Sequence, residues 1–152
     1  MRILFLCLGN ICRSPAAEAV FRELASRAGF DVVVDSAGTG DWHIGDPPYG
    51  PMQEAAIAHG YDMSSLRARQ LCRQDFEEFD LVLAMDSDNL KTAAGIAPPG
   101  SRATLRLFLD GEMPGASAMD VPDPYYTRDF DGCVALIEAG AARLIRALQP
   151  PQ

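Results

Sequence analysis

Cys7, Arg13 and Ser14 fall within one short stretch, Cys7-Leu8-Gly9-Asn10-Ile11-Cys12-Arg13-Ser14-Pro15, and together they hold the parts of an oxyanion site. The cysteine ends an apolar run, and Pro15 is a helix-start signal. A loop between a strand and a helix can turn successive backbone N–H groups inward, and the helix N-terminus adds positive potential. Gly9 and Asn10 are the residue types that best tolerate the positive φ of a tight loop. Arg13 offers a planar fork that can grip two phosphate oxygens at once. In such surroundings a thiol is expected to ionise, since helix N-termini and guanidinium groups bring thiol pKa values to roughly 3.5–7.5. Cys7 would then attack phosphorus and form a phosphocysteine. Ser14 could donate its hydroxyl hydrogen to the sulfur and help it leave in the second step.

Hydrolysis also needs an acid for the leaving oxygen and a base for water. Asp123 sits in Val121-Pro122-Asp123-Pro124-Tyr125-Tyr126, between two prolines that stiffen the backbone. Asp120 is its nearest competitor, and the residues alone leave an ordinary turn aspartate open. Trp42, Tyr125 and Tyr126 could wall a slot for a flat ring.

These residues must be positioned by alternating strands and helices. Arg2 to Leu6 predicts a central strand. Ala17, Val20, Phe21, Leu24 and Ala28 recur at spacings of three and four, which predicts one helix face stopped by Gly29. Further strands are expected at Phe30 to Asp35, Leu81 to Met85 and Thr104 to Phe108. Helices are expected at Met52 to His59, Ser87 to Ala94 (stopped by Gly95) and Asp129 to Leu148, with a short helix or turn at Asp75 to Asp80. Residues 36–40 and 110–124 read as loops. Strands separated by helices imply right-handed crossovers and a parallel sheet covered on both faces. Ligand sites in such sheets lie at the carboxyl ends of the strands. The loops after the first, second and fourth strands should therefore converge. No linker divides the chain, so residues 1–152 are expected to form a single domain.

Composition narrows the function classes. The chain has 152 residues, 48% hydrophobic and 22% charged, ordinary values for a globular protein. Thirteen basic and 21 acidic residues give a net charge of −8, which argues against nucleic acid and anionic membranes as partners. The apolar start is far short of the ~20 residues of a membrane span and lacks signal-peptide features. A cytoplasmic location is the expectation. The four cysteines include no Cys-x-x-Cys pair, which argues against structural zinc. Cys72 and Cys133 read as small buried hydrophobes, and His43 reads as structural.

The Cys7–Pro15 stretch resembles the signature of the low-molecular-weight protein tyrosine phosphatases. Ser36-Ala37-Gly38-Thr39, Trp42-His43, Ala68-Arg69-Gln70 and Asp123-Pro124-Tyr125-Tyr126 resemble further motifs of that family, in the family's order. The resemblance implies a flavodoxin-like α/β fold with a four-stranded parallel sheet, and hydrolysis of phosphotyrosine in protein substrates with inorganic phosphate released. It implies no metal or other cofactor. It makes Asp123 the general acid, and Trp42 and Tyr125 cleft walls. Asn10 would tie the loop together, with Ser36 as its partner. Cys12 would form a reversible disulfide with Cys7 that protects the nucleophile from over-oxidation. One position departs from the pattern. The family often carries a histidine two residues before the Ala68-Arg69 pair, and Leu66 stands there, which puts that histidine's support of the loop asparagine in doubt.

Three other readings compete. Arsenate reduction on this fold uses extra cysteines after the third strand, and residues 86–99 contain none. Phosphoarginine hydrolysis usually goes with a threonine at the position of Ile11, and an apolar Ile11 suits an aromatic leaving group better. A non-catalytic phosphotyrosine-binding module would have no use for Cys7, Arg13 and Asp123 together.

Overall fold

The computed structural model describes residues 1–110 and 120–149. Four parallel strands form one sheet: β1 (Arg2–Cys7), β2 (Val33–Gly38), β3 (Leu81–Ala84) and β4 (Thr104–Leu107), in the spatial order β2-β1-β3-β4. The chain order reverses between β1 and β3, which makes their carboxyl ends the switch point where this topology places its ligands. Cys7 ends one of these strands and Met85-Asp86 follows the other.

From Ile3 to Cys7 β1 is apolar and buried because both of its faces are covered. Ile3, Phe5 and Cys7 point to one layer, where α1 (Arg13–Arg27), α2 (Gly50–Ala58) and α6 (Phe130–Leu148) bury Val20, Phe21, Met52, Val134, Ile137 and Leu144. Phe5 packs against Phe21 and edge-on to Phe108. Leu4 and Leu6 point the other way, against Ala37, Val82, and Phe76 and Ala93 of α3 (Asp75–Glu78) and α4 (Ser87–Ile96). The expected two-faced α/β architecture is therefore present. The last helix buries Val134, Ile137, Ala141, Leu144 and Ile145, and Asp129 is its N-cap.

The differences from expectation have local causes. α1 begins at Arg13, three residues before Ala16, so Pro15 lies inside the first turn, where the N–H it lacks would have no helical partner. β2 is shifted forward, and Ser36, Ala37 and Gly38 are strand rather than loop. The absence of a side chain at Gly38 is a packing requirement, since a Cβ there would lie 2.8 Å from the Leu8 carbonyl oxygen. α4 runs through Gly95 and ends before Pro98, whose ring disfavours helix in the residue ahead of it. A short helix not expected from the sequence, α5 (Pro124–Thr127), directly follows Asp123. Of the expected loop at 110–124, residues 111–119 lie outside the described residues.

Candidate active site

Cys7 is buried at the end of β1. Its Sγ lies 3.0 Å from Ser14 Oγ and accepts the Asn10 backbone N–H at 3.2 Å. The loop closes back over the sulfur because Asn10 takes a left-handed conformation, φ 57°. Of the two residues expected to permit that turn, Asn10 is the one that makes it. Cys12 is the N-cap of α1 and supplies no side-chain cap. The first-turn N–H groups are therefore available to an anion.

Asn10 joins three parts of the chain. Its Nδ2 donates to Ser14 Oγ at 2.7 Å and to Ser36 Oγ at 3.0 Å, and its Oδ1 accepts the Arg69 backbone N–H at 3.0 Å. The Asn10–Ser36 contact expected from the resemblance is present. Leu66 packs against the core, so Asn10 is held by two hydroxyls and one backbone N–H.

Arg13 is buried in the first turn of α1. Its Nη1 donates to Asp86 at 2.6 Å and to the Val121 carbonyl at 2.9 Å, and its Nη2 lies 3.4 Å from Asp123. Burial works against this charge. The Coulombic attraction of Cys7, the hydrogen bond to Asp86 and the charge of Asp123 outweigh it, and the Arg13 pKa rises above the usual arginine value. Burial, with Cys7 adding to it, drives the Cys12 thiol far up, so Cys12 stays protonated. Burial pushes Cys133 up to about 12.

The cleft over Cys7 has a volume of about 230 Å³. That is small beside the ~300–1,000 Å³ of sites for drug-sized ligands and fits a single modified side chain. Gly9, Ile11 and Cys12 line its base, and the exposed Leu8, Trp42, Tyr125 and Tyr126 line its rim. The rim is open: Trp42 is 68% exposed and Tyr126 74%. Tyr125 leans on Tyr49, with ring centroids 5.4 Å apart. Asp123 lines the same cleft and caps α5, its Oδ1 accepting the Tyr125 N–H at 3.0 Å. Asp120 instead accepts the backbone N–H and hydroxyl of Ser87 and is not among the residues lining the cleft.

The loops after β1, β2 and β4 converge as expected. The loop after β3 joins them through Asp86, which sequence reasoning missed because it reads as an ordinary N-cap of α4. It does that as well, accepting the Asn89 N–H at 2.8 Å. His43 also departs from expectation, since it lines the cleft wall beside Trp42.

Residues 2–151 match the family model described as low molecular weight phosphotyrosine protein phosphatase. The chain belongs to this family. A low molecular weight protein-tyrosine-phosphatase of Bacillus subtilis, YfkJ, is 41% identical over 97% of this chain and 95% of its own length. The family member of Schizosaccharomyces pombe is 46% identical over 83% and 81%. The crystal structure of YfkJ matches with a TM-score of 0.91 at 40% identity over 98% of this chain and 94% of its own. A protein tyrosine phosphatase of Entamoeba histolytica, solved with Hepes in its active site, also matches at 0.91, with 33% identity over 98% and 97%. This low molecular weight phosphatase is therefore a phosphoric monoester hydrolase acting on phosphoproteins and releasing phosphate. Among the described residues no helix is long and apolar enough to cross a membrane.

Proposed function

We propose that the chain hydrolyses phosphotyrosine through a phosphocysteine on Cys7. The observation that carries this reading is the meeting of Cys7, Arg13 and Asp123 in one small cleft. In the first step the Cys7 thiolate attacks phosphorus. Arg13 and the loop N–H groups of residues 8–13 other than Asn10, which faces the sulfur, hold the equatorial oxygens. As the phosphorus–oxygen bond breaks, Asp123 gives its proton to the departing phenol oxygen. In the second step Asp123, now a carboxylate, takes a proton from water. The water oxygen attacks phosphorus, the sulfur–phosphorus bond breaks, and inorganic phosphate leaves. Ser14 steadies the returning thiolate with its hydroxyl. Trp42 and Tyr125 flank the aromatic ring, and Tyr126 extends the rim.

A thiolate nucleophile needs a reducing compartment, which makes the cytoplasm part of the same proposal. Phosphate release from phosphotyrosine, phosphoserine and phosphoarginine peptides, measured at one enzyme concentration, tests the substrate class. Phosphotyrosine should be hydrolysed far faster than the other two. Preferred hydrolysis of phosphoarginine would overturn the reading, and absence of turnover would mark a binding module.

A further inference from the structure

Behind the nucleophile lies a buried acid with no part in the steps above. Glu18, on the second turn of α1, is 4% exposed. Its Oε1 accepts the Ser36 hydroxyl at 2.7 Å. Its Oε2 pairs with Arg22, which also donates to the Val34 carbonyl.

The hydrogens can be followed from there. Ser36 has one hydroxyl hydrogen, and an ionised carboxylate can only accept. Ser36 therefore spends that hydrogen on Glu18 and accepts from Asn10 Nδ2. The orientation of that amide is fixed at its other end, because the Arg69 backbone N–H needs an oxygen facing it. One amide hydrogen goes to Ser36 and the other to Ser14. Ser14 thus accepts from Asn10 and keeps its own hydrogen for Cys7 Sγ at 3.0 Å, with the Ala37 carbonyl a longer alternative at 3.4 Å. Without Glu18 the buried Ser36 hydrogen would need another acceptor, and the serine would turn away from Asn10. Leu66 has no polar group to replace it.

We propose that Glu18 is a positioning residue: through Ser36 it anchors the Asn10 amide, so that Ser14 donates to the Cys7 sulfur. This rests on Cys7 being the nucleophile. The effect should appear mainly in breakdown of the phosphocysteine, where sulfur is the leaving group.

The test compares Glu18→Asp, Glu18→Gln and Glu18→Met with Ser36→Ala. Pre-steady-state and steady-state turnover of an activated aryl phosphate separate the two chemical steps, and competitive inhibition by inorganic phosphate reports binding. Gln keeps an acceptor at full reach and should hold kcat within about twofold. Asp keeps the charge but draws the carboxylate away from Ser36. Asp and Met should each lower kcat about 3- to 10-fold, the effect of one misaligned hydrogen bond, with phosphate inhibition little changed. Glu18→Met in the Ser36→Ala background should add no further loss. If Met does not fold, the Asp and Gln pair decides. A slow Gln variant beside a near-normal Asp variant would overturn the proposal in favour of a charge effect, and multiplying losses in the double variant would also overturn it. Full turnover by Cys7→Ser would instead remove the reading on which it rests.

Discussion

Asp86 and Arg13 stand 73 residues apart in the chain and 2.6 Å apart in the fold. The pair holds one edge of the guanidinium while Nη2 keeps only a 3.4 Å contact with Asp123. A phosphoryl oxygen can compete for so long a contact. Asp86→Asn separates the two duties of this residue. Asparagine caps a helix as well as aspartate does, so the α4 cap should survive and any fall in melting temperature should come from the weakened Arg13 contact alone. The hydrogen bond to Arg13 loses its charge, at about 1 kcal/mol or more. kcat/KM should fall roughly 5- to 30-fold. Normal kinetics in a folded variant would show that Arg13 needs no such support.

Asp123 and Asp120 are distinguished by leaving-group chemistry. A general acid typically contributes ~10²–10⁴-fold, and its help matters most when the departing oxygen is basic. Asp123→Asn should therefore be severely slowed on phenyl or alkyl phosphates and much less on phenols with electron-withdrawing groups. Asp120→Asn should show no such slope, because Asp120 is engaged with Ser87. Rates of both variants across phenols of graded acidity check this. A flat Asp123→Asn penalty refutes the assignment.

Oxidation should join Cys7 to Cys12. Peroxide converts the Cys7 thiolate to a sulfenic acid, and the Cys12 thiol then attacks that sulfur, its proton leaving with the displaced hydroxyl as water, to give a disulfide. Cys12 is buried in the same loop, while Cys133 lies on the first turn of α6. Peptide mapping after mild peroxide should find the Cys7–Cys12 bond, and a dithiol should restore activity. Equal recovery by Cys12→Ala, or a bridge to Cys133, would deny Cys12 that role.

His59 clasps the end of α2 to α6. Its Nε2 faces Asp131 and its Nδ1 faces Glu138, each at 2.7 Å, and Tyr61 also donates to Glu138. Two carboxylate partners call for two ring donors, which is the protonated form. The hydrogen bond to Asp131, with that to Glu138, raises the His59 pKa against a smaller opposing effect of burial. Burial and Glu138 hold Tyr61 up at about 12, so it stays neutral throughout. A raised folded-state pKa stabilises the fold fully below the unfolded value of about 6.5 and is lost as pH rises through the folded value. The melting temperature should therefore decline over that window, and His59→Gln should flatten the decline. An identical pH profile in the variant would show that the clasp contributes nothing.

The sequence made β1, the Cys7–Ser14 loop and the span of α6 legible, because each is encoded by neighbouring residues. The end of β2 is hidden because Ser36, Ala37 and Gly38 resemble a turn, whereas Gly38 answers the loop packed over it and Ser36 binds Asn10 and Glu18. Asp86 and Glu18 were invisible for a related reason. Asp86 has the local look of a helix cap, and Glu18 that of a surface partner four residues before Arg22. Their other contacts reach across 73 and 18 residues, distances at which no periodicity operates.

In the proposed mechanism the phosphoryl group passes through Cys7. Rapid acid quench during turnover of an activated aryl phosphate, followed by mass spectrometry of the peptide containing residues 7–13, reads it directly. One phosphate should appear on Cys7, forming and decaying at rates competent for turnover, and none in Cys7→Ser, which should still bind phosphate but release no phenol. Phosphate on another residue, or turnover by Cys7→Ser, would contradict it.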